Sequence, residues 1–273
     1  MVVALTRDAP LPAFIGLAGH PIRWGLLTEL ARSDRHVNEL TALLDQPQAL
    51  ISYHLGRLRT SGLVSSRRSS YDGRASYYRA DLQRCADALA ASGAALHPGL
   101  ALQRVTGVPG PSRRGRRRVL FACTGNGARS QIAEALLQHL AGGRVEVVSG
   151  GSHPKPIHPN AVRVLAERGI DISGRASKSL RLFEEQDFDI VVTLCDKVRE
   201  ACPEFSGRAQ AIHWSIEDPS RTPGDDRVTY PVFRNLASEL EERVSFLIAL
   251  IDEQAPPAAP TDPSGQEIHH DRS

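Results

Sequence analysis

The chain has 273 residues, enough for two modest domains each with its own core. A formal net charge of +2 does not by itself announce a nucleic-acid partner, and 41% hydrophobic residues is ordinary for a globular protein. Four cysteines (Cys85, Cys123, Cys195 and Cys202) are too few and scattered for a secreted disulfide framework, the first 12 residues lack a signal-peptide core, and no apolar run reaches the roughly 20 residues that span a bilayer. The expectation is a cytoplasmic protein with reduced thiols and no membrane contact.

In chain order, residues 37–44 put Val37, Leu40, Leu43 and Leu44 on one helical face. Asp45-Gln46-Pro47 forms a turn, with Pro47 suited to the start of a second helix. That helix, about Gln48 to Ser61, buries Ile51, Leu55 and Leu58 and turns Gln48, Ser52, Tyr53, His54, Arg57 and Arg59 outward. Gly62 stops it. Residues 63–71 and 75–79 flank Asp72-Gly73-Arg74, a β-hairpin with its turn signal. Helix, short turn and helix make the helix-turn-helix pattern, whose second member lies in the major groove. A basic hairpin behind it is a wing that reaches phosphates. The residues expected on DNA are therefore Gln48, Ser52, Tyr53, His54, Arg57, Arg67, Arg68 and Arg74.

Residues 11–92 thus form one unit. Residues 93–116, rich in Gly, Pro, Ser and Arg, read as a linker. From 117 to 251, apolar strand-like runs alternate with helical patterns, which argues for βαβ units and a parallel sheet. Residues 252–273, with four prolines among polar residues, read as a disordered tail.

Within the third region, Val119-Leu120-Phe121-Ala122 is a strand leading into Cys123-Thr124-Gly125-Asn126-Gly127-Ala128-Arg129-Ser130, and an amphipathic helix follows. A thiol, five residues and then a cation is the arrangement that holds a tetrahedral oxyanion against sulfur. The loop amides of Thr124 to Arg129 and the helix N-terminus make an anion site, which also stabilises a thiolate. Gly125 and Gly127 permit unusual backbone angles, and Asn126 tolerates the left-handed region. Arg129 offers a planar fork to two oxygens, and Ser130 a hydrogen bond to the sulfur.

Two resemblances rest on these residues. Leu17 to Leu82, above all Gln48 to Val64, resembles the winged-helix repressors of the ArsR/SmtB family, which implies operator DNA as a partner and a homodimer through the N-terminal domain. The metalloid-binding Cys-x-Cys of many members is replaced by Asp34 to Glu39, and Cys85 reads as a small core residue, so no metal site is expected. Arg117 to Ile251 resembles the low-molecular-weight protein tyrosine phosphatase superfamily. Val148 to Ser152, His158 to Ser173 and Asp218-Pro219 match its second strand, following helix and general-acid loop. The implied fold class is α/β: a winged helix-turn-helix followed by a four-stranded parallel sheet flanked by helices, with the loop at a strand's carboxyl end.

That superfamily holds both phosphatases and thioredoxin-coupled arsenate reductases. Cys195 and Cys202, seven positions apart after the third strand, look like the redox segment of the reductases, and Ser220-Arg221-Thr222 stands where the phosphatases carry aromatic residues. The resemblance implies that Cys123 attacks arsenate held by the loop and Arg129, that Asp218 protonates the leaving oxygen, and that Cys195 and then Cys202 take over the disulfide. A continuous helix holds residues seven apart at about 10.5 Å, whereas disulfide-bonded residues need Cα atoms within about 7 Å, so this segment is expected to unwind on oxidation. No tightly bound cofactor is implied. Thioredoxin, or a low-molecular-weight thiol such as mycothiol, is the implied reductant, and some of these reductases hold a potassium ion near the loop, with Asn126 and Glu134 on matching positions. The alternatives are a phosphatase fused to a DNA-binding domain, and a repressor that senses oxyanions or oxidants without turnover.

Overall fold

The computed structural model describes residues 11–97, 100, 117–201 and 209–253. The N-terminal unit comprises α1 (Ala13–Ala18), α2 (Pro21–Arg32), the short β1 (Arg35–His36), α3 (Val37–Leu44), α4 (Gln48–Thr60), β2 (Val64–Arg68), β3 (Ser76–Ala80) and α5 (Leu82–Leu96). Asp45 adopts a left-handed conformation (φ 48°) that closes α3, and Pro47 opens α4. Gly62 ends α4 at φ 76°, an angle costly to any residue with a Cβ. β2 and β3 pair antiparallel from Val64↔Ala80 to Arg68↔Ser76, and β1 adds to β3. Leu26, Leu40, Ile51, Leu55 and Leu58 are buried together beneath them.

Two expectations change here. Leu43 is 50% exposed, because it sits about 100° around α3 from Leu44 and the core is already filled by Leu40. The helix α5 runs on through Gly93 to Leu96, four residues into the stretch assigned as linker. Asp81 caps its start by accepting from the Arg84 amide (2.9 Å). Gly93 leaves room for the Leu100 carbonyl, which a Cβ would meet at 2.4 Å. Beyond His97 the linker lies outside the described residues, Leu100 excepted.

The C-terminal unit comprises β4 (Arg117–Cys123), α6 (Arg129–Ala141), β5 (Val145–Gly151), α7 (Pro159–Ala166), β6 (Ile190–Thr193), α8 (Asp196–Ala201), β7 (Gln210–His213) and α9 (Asp226–Glu253). Among the described residues the sheet has four parallel strands in the order β5-β4-β6-β7, flanked by helices. Central β4 is apolar and buried from Val119 to Cys123, as a strand covered on both faces must be, and Phe121 is fully buried. Cys123 ends it, opposite Gly151 of β5. The long α9 contributes Phe233, Leu240 and Val244 to the core and runs two residues past the expected domain end. No helix among the described residues is long and apolar enough to cross a membrane.

Each unit keeps its own hydrophobic cluster, and what joins them is largely polar. The Asp34 amide donates to the His213 carbonyl (2.7 Å) and the His213 amide to the Ser33 hydroxyl (2.9 Å), so the end of α2 covers the open edge of β7. The Asp34 carboxylate accepts from the Ser215 amide (2.7 Å) and from Arg243 of α9 (3.2 and 3.3 Å). Beside these bonds a cleft of about 700 Å³ opens between Trp24, Cys85, Leu89 and Phe246.

Candidate active site

The loop after β4 is held by its carbonyls. Those of Cys123, Thr124, Gly125 and Gly127 accept hydrogen bonds from the amides of Ser152 (3.1 Å), His153 (2.8 Å), Lys155 (2.8 Å) and His158 (2.8 Å). The fifth, of Asn126, accepts from the Ser177 hydroxyl (2.9 Å). A trans peptide points its N–H opposite its C=O, so five carbonyls pinned outward leave the amides of Thr124 to Ala128 turned inward. The Asn126 amide accordingly donates to the Cys123 sulfur (3.1 Å). Gly127 must be glycine, because a Cβ there would lie 2.7 Å from the Pro156 carbonyl oxygen.

Around this loop the charges and thiols fall into place. The buried Cys123 sulfur lies 3.0 Å from the Ser130 hydroxyl at the start of α6. Arg129, 5% exposed, donates to the Ile216 carbonyl (3.0 Å) and pairs with Asp218 (2.9 Å). Burial alone would raise the Asp218 carboxyl, but the Arg129 guanidinium and the Ser220 donors outweigh it and hold it below the usual carboxylate range. The Thr124 hydroxyl contacts the Cys195 sulfur (3.3 Å), which ties the second thiol to the loop. Burial pushes the Cys195 thiol up; neighbouring Cys123 adds to this, and the opposing pull of Arg129 does not cancel it. Cys202 lies outside the described residues. The remaining cysteine of the described chain, Cys85, packs against the N-terminal core, and burial pushes it up to about 11.

Asn126, left-handed at φ 46° and fully buried, is the hub behind the loop. Its amide donates to Ser130 (2.9 Å) and Ser149 (2.7 Å), while its carbonyl oxygen accepts from Gln131 (3.0 Å) and the Lys178 amide (2.7 Å). Glu134 does not fit a resident potassium ion. Both its oxygens already hold the Lys178 ammonium (3.1 and 3.0 Å), with Arg175 at 3.4 Å. A second cation would meet two like charges at that carboxylate.

The sequence reading gave no role at the loop to the segment 152–158 or to Gln131, Ser149, Ser177 and Lys178. A signal was present in Pro154, Pro156 and Pro159, which keep the segment extended and leave N–H groups only at intervening positions.

On the N-terminal unit, Gln48, Ser52, Tyr53 and Arg57 share the exposed face of α4, and Arg68 and Arg74 are exposed on the wing. His54 is not with them. It is 4% exposed with its ring 4.4 Å from that of His20, because it shares the inward side of α4 with the adjacent Leu55 and with Leu58, four positions on. Arg67 is also withdrawn. It donates to the Asp196 carboxylate (2.8 Å) and to Ser215 across the interface, on the face of the wing opposite Arg68.

Residues 118–256, just over half the chain, match the family described as low molecular weight phosphotyrosine protein phosphatase. The chain belongs to that family. Residues 20–66 carry a second module, the helix-turn-helix of the bacterial regulatory protein arsR family. A similar curated protein, the arsenate reductase of Halalkalibacterium halodurans, is 36% identical over 126 residues, 46% of this chain and 91% of the relative. The glutaredoxin arsenate reductase of Synechocystis sp. is 36% identical over 135 residues, 50% of this chain and 98% of the relative. A solved structure described as an arsenate reductase in the phosphate binding state has 36% identity and a TM-score of 0.44, covering 50% of this chain and 98% of that one.

Proposed function

We propose that this chain is a DNA-binding regulator fused to an arsenate reductase. The observation that carries the reading is a second thiol, Cys195, hydrogen-bonded through Thr124 to the loop that holds Cys123. A phosphatase needs one thiol at this loop; a reductase needs another within reach to remove the product. The names of the relatives point the same way, as does Ser220-Arg221 after Asp218-Pro219, where an aromatic wall for a phosphotyrosine ring would be required.

Arsenate binds to the inward amides and Arg129, displacing Asp218 from the guanidinium. The Cys123 sulfur attacks arsenic, and Asp218 protonates the departing oxygen, which leaves as water. Cys195 then attacks the Cys123 sulfur. An S–S bond forms, the S–As bond breaks, and arsenic keeps the electron pair and leaves as arsenite. Two thiols and one arsenate thus give one disulfide, one arsenite and one water. Cys202 next displaces Cys123 to form the Cys195–Cys202 disulfide, which a small redox protein reduces, thioredoxin being the first candidate and glutaredoxin the second.

The N-terminal unit binds operator DNA as a homodimer, with α4 in the major groove and Arg68 and Arg74 on phosphates. The apolar Ile15, Leu89 and Leu96, left exposed on α1 and α5, support a dimer through that face. The test is NADPH-coupled arsenate reduction with thioredoxin and its reductase. Turnover is expected in the wild type and absent in Cys123→Ser, Cys195→Ser and Cys202→Ser. Hydrolysis of an aryl phosphate that survives Cys195→Ser, with no arsenate turnover, would make the chain a phosphatase. Neither activity, with DNA released by arsenate, would make it a sensor.

A further inference from the structure

The wing rests on the helix that begins directly after Cys195. Asp196, the first residue of α8, is fully buried. One of its oxygens accepts from the Ser70 amide (2.6 Å), the Ser70 hydroxyl (2.8 Å) and Arg67 (2.8 Å), all on the wing. The other accepts from Ser215 (2.7 Å) and lies 3.2 Å from His213. One turn on, Glu200 accepts from the Ser69 hydroxyl (2.7 Å) and the Tyr77 hydroxyl (3.1 Å), and Arg199 donates to Glu39 of α3 (2.7 Å). Residues 196, 199 and 200 share one helical face, so α8 presents that whole face to the DNA-binding unit.

We propose that α8 is a redox-controlled latch on the wing: when Cys195 bonds to Cys123, Asp196 is drawn off the wing and the chain's grip on DNA weakens. This rests on the reading of Cys195 as the thiol that attacks Cys123. Both thiols are free in this structure, and an S–S bond of about 2.05 Å requires them to approach. Cys195 and Asp196 share a rigid peptide unit, so the movement is carried to the carboxylate. Hydrogen bonds of 2.6 to 2.8 Å at Asp196 do not survive a displacement of about 1 Å. The oxidant is arsenate, with the stoichiometry given above.

The sign follows from the position of the latched residues. Ser69 and Ser70 stand at the foot of the turn that carries Arg74, next to Arg68. While Glu200 and Asp196 hold them, the wing tip is ordered before DNA arrives. Once they are released, that order must be regained on binding, which weakens the complex.

The test uses the full chain carrying Cys202→Ser, which cannot pass a Cys123–Cys195 disulfide on, in three states: reduced, oxidised with arsenate, and oxidised with diamide, with the disulfide identified by peptide mapping. Amide exchange reports on residues 64–80. Anisotropy reports binding to a labelled duplex of about 30 base pairs, selected from a random library by the reduced chain. A disulfide at Cys195 is expected to speed exchange in the wing and weaken DNA binding by about tenfold, within the usual range for coupled sites. Arg67→Gln is expected to weaken binding in the reduced chain while arsenate still oxidises its thiols. Unchanged wing exchange and affinity in a chain with a verified Cys195 disulfide would overturn the latch and leave the reductase reading standing. Thiols untouched by arsenate, with a diamide disulfide that loosens the wing, would overturn the reductase reading and support the latch.

Discussion

Asp218 and Arg129 set the proton balance of the loop. Their ion pair keeps the Asp218 carboxyl below its ordinary value, so at neutral pH it is an anion, the wrong form for an acid. In the proposed mechanism an arsenate dianion takes the same guanidinium and adds negative charge, and both effects would push the carboxyl up. Arsenate binding is therefore expected to take up a proton, to a greater extent as pH falls from 8 towards about 5. Calorimetry in buffers of different ionisation enthalpy measures this uptake, and Asp218→Asn is expected to lose that component. At this scale much was legible in the sequence. Cys123, Arg129 and Ser130 are close along the chain, and a strand-loop-helix leaves them few other arrangements. Lys178 against Glu134 was not legible, because nothing local joins residues 44 positions apart.

At the scale of elements, α3, α4 and the wing follow from hydrophobic spacing, a left-handed Asp45 and the glycine stop at Gly62. Alternation along β2 divides two neighbouring arginines: Arg67 faces the C-terminal unit, and Arg68 faces solvent. This yields a sharp contrast in salt dependence. Arg68→Ala is expected to reduce the slope of log Kd against log salt by about 0.9 for each copy on the duplex. Arg67→Gln is expected to leave the slope unchanged while lowering affinity, because its cation is held by Asp196. Titrations from 50 to 200 mM salt separate the two. An equal loss of slope in both variants would return Arg67 to the DNA surface.

At the scale of the whole molecule, buried ion pairs between the units outweigh exposed ones. Asp34 is 3% exposed and Arg243 14%. Losing Arg243 leaves a buried carboxylate without its cation, which costs about 3 kcal/mol. The Arg163–Asp226 pair, 53% and 61% exposed, contributes about 0–1 kcal/mol. Thermal unfolding is expected to fall by about 6 °C in Arg243→Ala and by no more than about 2 °C in Arg163→Ala. Equal shifts would mean that the interface contributes nothing beyond its surface.

The sequence by itself determined the two modules, the parallel sheet, and the thiol, loop and cation at the end of its central strand. Each depends on periodicity, turn residues or spacing within about a dozen positions. Only the tertiary structure decided that the 152–158 segment turns the loop amides inward, that His54 and Arg67 turn away from the exposed face of α4 and the wing, and that Asp196 beside Cys195 hydrogen-bonds the wing. The physical reason is common to all three. Hydrogen bonds and ion pairs between distant segments satisfy buried polar groups, and their partners are chosen by packing in space, which leaves no period in the chain.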